Sequence, residues 1–157
     1  NRADIAREGL DLAIRFGTGR WPGLTIKPLM ETPLTPICAP SVASTLKAPE
    51  ALLSQNLLRS YRADEWPIWF RKAGMVSPYI EGPVYDSSVA MAELAAKGLG
   101  VALLPHAMFQ AQLSEGRLVR PFDTEVTTGR YWITRLSNKE PTTAVAAFEA
   151  WICKAAL

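Results

Sequence analysis

The sequence contains one histidine, His106, and two cysteines, Cys38 and Cys153, so the residue types that build metal centres and disulfide frameworks are nearly absent. One imidazole and two distant thiols cannot close a zinc site, which leaves acidic side chains alone as metal ligands. The cysteines sit in apolar surroundings, TPICAP and AWICKA. That context suits buried free thiols in a reducing compartment, with a disulfide as the alternative. No stretch approaches the ~18 consecutive apolar residues of a membrane span, and no basic start is followed by an apolar leader. A cytoplasmic protein without a membrane partner is therefore expected. Charge of one sign is also missing: 17 basic and 15 acidic side chains leave a net charge of +2. The lysines and arginines are scattered, so this chain carries no nucleic-acid surface of its own. The opening NRADIAREGLD, on Asn1 rather than Met, reads as the interior of a folded unit and predicts a fragment of a longer protein.

At 157 residues with 48% hydrophobic and 20% charged side chains, the chain has the composition of a globular domain with a real core. A helical turn is predicted at 4–8, then a half-buried strand at 10–16, where Leu12, Ile14 and Phe16 alternate with Asp11, Ala13 and Arg15. After the turn GTGRWPG, an extended pattern resumes at 24–30. The three prolines of ETPLTPICAPS forbid a helix and weaken a central strand, so this segment reads as a stiff crossover. Beyond Ser41 the pattern becomes α/β: a helix start at Pro49, a strand LLRSY, a helix EWPIWFRKAG with Asp64 as N-cap, and a strand PVY. The continuous apolar run VALLP predicts a strand covered on both faces, as in a parallel sheet. His106 to Leu113 reads as a helix, RLVRPF and RYWITRL as strands, and the tail 142–157 as an amphipathic helix with Val145, Phe148, Trp151 and Ile152 on one side.

The stretch YDSSVAMAELAAKGLGVALLP, Tyr85 to Pro105, concentrates the candidate chemistry. A nucleophile reading would use Ser87 or Ser88 with His106 as base, but a hydrolase elbow is GxSxG and no glycine flanks these serines. A phosphate cradle lacks both GxxxxGK[ST] and GxGxxG, and Gly98 and Gly100 follow the helix as a C-cap and turn. No cofactor is expected. Asp86 or Ser87 can simply cap the helix, which is worth roughly 1 kcal/mol. Ser88 is then spare, at a helix start whose unused N–H donors attract a carboxylate or carbonyl.

EGLDLAIRFG (8–17), RWPGL, PLTPICAPS, GLGVALLPHAM and GRLVRPF together resemble the inducer-binding domain of LysR-type transcriptional regulators. LLRSYRADEWPIWFRKAG, VYDSSVAM and GRYWITRL resemble more specifically the branch that holds regulators of inducible β-lactamases and the glycine-cleavage activators. The resemblance spans nearly the whole chain and only the later part of the family's sequence. It implies a periplasmic-binding-protein-like α/β fold of two lobes joined by two crossover strands, with the effector in the cleft. Lobe I, incomplete here, would hold 1–34 and 134–157, and lobe II 35–133. The crossovers would be the TPLTPICAP segment and the segment around Tyr131. The resemblance further implies a muropeptide or UDP-linked muramyl peptide as effector, contacted by Ser88 and Tyr131 with Ser87 and Asp86 beside them, and a regulatory hinge position at Asp4. Asp4 has the alternative of capping the turn of IAREG. DNA would be bound through an N-terminal helix-turn-helix domain outside this chain, and RNA polymerase and further copies of the protein would be partners.

Three functional readings remain open on sequence alone. One is a regulator's effector domain for wall peptides, or for amino acids or other small carboxylates. Another is a free-standing solute-binding protein with the same lobes. The last is a small α/β enzyme, which lacks a credible base.

Overall fold

In a computed structural model describing residues 4–156, the elements run β1 (Ala13–Gly17), β2 (Leu24–Glu31), β3 (Leu34–Ile37), α1 (Pro40–Ala43), β4 (Leu57–Ser60), α2 (Glu65–Lys72), β5 (Val84–Tyr85), α3 (Ser88–Ala96), β6 (Val101–Pro105), α4 (Gln110–Ser114), β7 (Arg130–Leu136) and α5 (Thr143–Ala155). Short 3-10 helices occupy Pro49–Ser54 and His106–Phe109. The chain divides into two units, one of Asn1–Thr32 with Gly129–Leu157 and one of Pro33–Thr128. The crossings fall a few residues ahead of 34/35 and 133/134, because the ladder of β7 already begins at Arg130. Asn1 to Ala3 and Leu157, the outermost residues assigned to lobe I, lie outside the described residues.

The second unit is organised around β6, whose five residues are all buried. Its sheet has the order β3-β6-β4-β5, with β6-β4-β5 parallel and β3 antiparallel. The sheet is thus mixed where the apolar run predicted a parallel one. Strand alternation sends Leu57, Val101 and Leu103 into a cluster with Trp66, Trp69 and Phe70 of α2. Leu58, Ala102 and Leu104 go instead to a cluster with Met91, Ala92 and Ala95 of α3. The two helices therefore cover opposite faces, as the period of two along a strand requires. The aromatic cluster packs edge to face, with Trp69 and Phe70 centroids 5.4 Å apart. Both buried indoles are satisfied: Trp66 donates to the Leu58 carbonyl and Trp69 to the Thr124 carbonyl, each at 2.9 Å.

The proline-rich segment became β3 rather than a bare crossover. Leu34 and Cys38 donate their N–H groups away from β6, to Val126 and Val119, and alternation places Pro36 on that same side. The missing N–H of Pro36 thus falls between two isolated bridges and leaves the β6 ladder intact. RLVRPF forms no strand. It contributes only the bridge from Val119 to Cys38, because Pro121 cannot donate to a ladder and the loop beyond it is held by Arg120 bonds to the Phe122 and Asp123 carbonyls. Asp64 also fails as a cap. Its backbone already has helical angles (φ −91°, ψ −11°), so its carboxylate accepts no helix N–H. Gly100 sits where a Cβ would lie 2.4 Å from the Asn56 carbonyl, the oxygen that receives the N–H of Val101, so only glycine lets β6 start there.

The first unit is an antiparallel sheet, β1-β7-β2, with a register shift between Pro28 and Met30. Among its described residues only Ile5 and Ile133 are buried hydrophobics. α5 is capped by Thr142, whose hydroxyl accepts the Val145 N–H at 3.3 Å, and Glu149 pairs with Arg135 of β7 at 3.6 Å. The predicted apolar side does not dock as one surface. Val145 and Ile152 are half-buried, whereas Phe148 and Trp151 stack on each other at 5.6 Å and stay exposed, Trp151 at 62%.

Candidate functional site

In the second unit, β4 and β5 run parallel and in register, Ser60 opposite Tyr85, and the Tyr61 N–H donates to the Tyr85 carbonyl at 3.2 Å. Their continuations diverge: β4 leads to α2 on one face and β5 to α3 on the other. That divergence defines a topological switch point, the place in open α/β sheets where ligands bind beyond the carboxyl ends of the strands. Asp86, Ser87 and Ser88 stand at this edge. Ser87 is the N-cap of α3, with extended angles (φ −124°, ψ 119°) and its hydroxyl accepting the Ala90 N–H at 3.3 Å. Ser88 is the first helical residue, half-buried, and its side chain holds no hydrogen bond among the described residues. Asp86 is exposed.

Across the same edge, the loop after β4 carries a polar network that sequence reasoning did not assign. Ser60 donates its hydroxyl proton to Glu65 at 2.6 Å and accepts the Arg62 N–H at 3.0 Å, while an Arg62 guanidinium nitrogen lies 3.4 Å from Glu65. Glu65 is only 4% exposed. Burial pushes its carboxyl above the ordinary glutamate range, against the opposing pull of the Ser60 bond and the Arg62 charge. The available signal was spacing: a serine five residues before a glutamate across a strand-to-helix turn.

Tyr131 lies in the other unit, on the central strand β7 opposite Phe16 and Met30, half-buried, with its ring edge-on to Phe16 at 5.3 Å. It is therefore a sheet residue. Asp4 is exposed and caps the turn that follows: its carboxylate accepts the N–H groups of Ala6 and Arg7, both at 3.1 Å, and Glu8 accepts the Asp4 N–H at 2.9 Å. This reciprocal arrangement has the logic of a capping box. The ring nitrogens of His106 are engaged with Gln110 and Glu125, each at 3.2 Å, and Arg120 holds the same Glu125 oxygen at 2.9 Å. Cys38 and Cys153 are unpaired, and burial lifts the Cys38 thiol to about 11, which keeps it from forming a reactive thiolate. Among the described residues no His, Cys, Asp and Glu cluster suits a metal ion, and no helix is long and apolar enough to cross a membrane.

The LysR substrate binding domain family model matches residues 2–156. The chain belongs to that family. Among its relatives, the transcriptional activator AmpR of Rhodobacter capsulatus is 52% identical over 152 residues, covering 97% of this chain and 53% of that protein. The chain thus spans about half the length of the curated relatives it matches. The effector domain of AmpR from Pseudomonas aeruginosa superposes with a TM-score of 0.95 at 52% identity, over 99% of this chain and 76% of that one. A Citrobacter freundii AmpR effector binding domain gives a TM-score of 0.94 at 40% identity, over 100% and 80% of the two chains. That protein carries three substitutions, threonine to valine, serine to alanine and tyrosine to phenylalanine. As a LysR effector domain of the AmpR type, the chain has the periplasmic-binding-protein-like α/β fold, and its named relatives are regulators of transcription.

Proposed function

We propose that this chain senses cell-wall muropeptides for an AmpR-like activator of a β-lactamase-type gene, with Ser88 and Tyr131 as ligand-contacting hydroxyls. The observation that carries this reading is a spacing. The substituted serine and tyrosine of the Citrobacter freundii domain are separated by the same number of residues as Ser88 and Tyr131, and its substituted threonine lies farther upstream than this chain reaches. All three substitutions there remove a hydroxyl and spare most of the side chain. Local geometry supports the assignment of Ser88, because Ser87 already fills the cap and leaves the neighbouring hydroxyl for a ligand at the helix start. Asp86 and Ser87 flank that position and shape it. Asp4, with its capping carboxylate, is the proposed regulatory hinge position. DNA would be engaged by an N-terminal helix-turn-helix domain, in a cytoplasmic homo-oligomer that contacts RNA polymerase.

Calorimetric titration of the intact protein with an anhydro-muropeptide and with a UDP-linked muramyl pentapeptide tests the proposal. Binding of either is expected, and Tyr131→Phe should weaken it about ten- to a hundredfold, since a hydroxyl bonded to a charged group contributes roughly 1.5 to 3 kcal/mol. Binding of free amino acids with no response to either wall fragment would overturn it.

A further inference from the structure

The second unit contains a cavity of about 230 Å³ whose lining includes none of Asp86, Ser87 or Ser88. It lies where β4 turns into α2, facing the 78–84 segment that leads to β5. Among the described residues, its charged side chains are two arginines, Arg59 and Arg62, and no acid lines it. Both guanidinium groups are held in place. Arg59 donates from Nε and Nη2 to the Gly82 carbonyl at 3.1 and 2.8 Å. Arg62 lies over the Tyr61 ring at 4.6 Å and is anchored from behind by the buried Glu65. Side chains fixed in advance lose little freedom when a ligand arrives, which raises affinity. The remaining wall is largely apolar and aromatic, with Tyr61, Trp66, Tyr79 and Ile80.

We propose that this cavity is a second ligand site, taking a compact organic carboxylate with its anionic end on Arg59 and Arg62 and its apolar body against Tyr61, Trp66 and Tyr79. Guanidinium forks match the two oxygens of a carboxylate, and their flat faces tolerate a ring beside them. The volume is below the roughly 300 to 1,000 Å³ of pockets for drug-sized ligands, so a single ring or a branched chain fits and a nucleotide or long peptide does not. The lining includes none of Asp86, Ser87, Ser88 or Tyr131, the residues of the proposed effector contact, so substitution at Ser88 separates the two sites.

The test is a titration of the isotopically labelled intact protein with benzoate and, separately, with benzyl alcohol, followed by NMR. The Trp66 indole N–H, bonded to the Leu58 carbonyl at 2.9 Å, and the Arg59 Nε–H are the reporters. Saturable shifts with benzoate and none with benzyl alcohol are expected. Arg59→Gln should weaken benzoate binding about tenfold or more, and Ser88→Ala should leave it unchanged. Val84→Asp guards against misfolding of the arginine variant: Val84 is 53% exposed on the edge strand and lines the cavity, so an acid there repels the carboxylate without touching the core. Absence of saturable shifts, equal shifts with benzyl alcohol, undiminished binding in Val84→Asp, or loss of binding in Ser88→Ala would each overturn the assignment.

Discussion

Two adjacent serines at the start of α3 should respond oppositely to the same substitution. Ser87→Ala removes the hydroxyl that accepts the Ala90 N–H, and N-cap losses of this kind cost about 0.5 to 2 kcal/mol. The bond is long at 3.3 Å, which places the expected loss in the lower half of that range, about 1 kcal/mol. For a domain of this size, that corresponds to a fall in Tm of roughly 2 to 4 °C. Ser88→Ala removes a hydroxyl with no intramolecular partner among the described residues, so its stability should stay within about 0.5 kcal/mol of wild type. Its effector affinity should instead fall about ten- to a hundredfold, through loss of a charge-assisted bond worth roughly 1.5 to 3 kcal/mol. Denaturant unfolding and calorimetric titration with a muropeptide, run on both variants, separate the two effects. If Ser88→Ala destabilised the fold as much as Ser87→Ala and bound the effector normally, the division of labour would be wrong.

Asp4→Asn, which weakens the carboxylate cap on the Ala6 and Arg7 N–H groups, should raise uninduced transcription in a reporter strain; wild-type basal activity with normal induction would return Asp4 to a purely structural role. Glu65 has its carboxyl raised in the folded state, so the native protein binds more protons than the unfolded chain between the ordinary glutamate range and the raised value. Stability should therefore fall as pH rises through that window, and Glu65→Gln should flatten the slope measured by chemical denaturation at several pH values; an unchanged slope would count against the assignment. Hydrogen exchange should be slowest at the amides of Val101 to Leu104 in the fully buried β6 and faster in β1 and β2, whose unit buries only Ile5 and Ile133 among described hydrophobics. Equal protection in the two sheets would show that the first unit is better packed than its side-chain burial implies.

The elements legible in the sequence were those whose signal is local. Capping at Ser87 and Asp4, the strand at Arg130–Leu136 and the apolar continuity of Val101–Pro105 each depend on neighbours a few residues away and each formed, whereas Asp64 did not cap α2 because its own backbone is already helical. Family membership was legible for a similar reason, since YRADEW and YDSS are contiguous words. Tertiary structure alone decided what depends on partners distant along the chain. β3 is a strand because residues 119–126 and β6 take its two sides so that Pro36 interrupts no ladder bond with β6, and no window around Pro36 contains that information. Trp151 is exposed beside the half-buried Ile152, although both residues fit one apolar helix side by sequence. The Ser60, Arg62 and Glu65 network is local in sequence, but the burial that raises the Glu65 carboxyl comes only with the packed fold. A side chain's periodicity fixes the direction in which it points, and only the packed fold determines what it meets there.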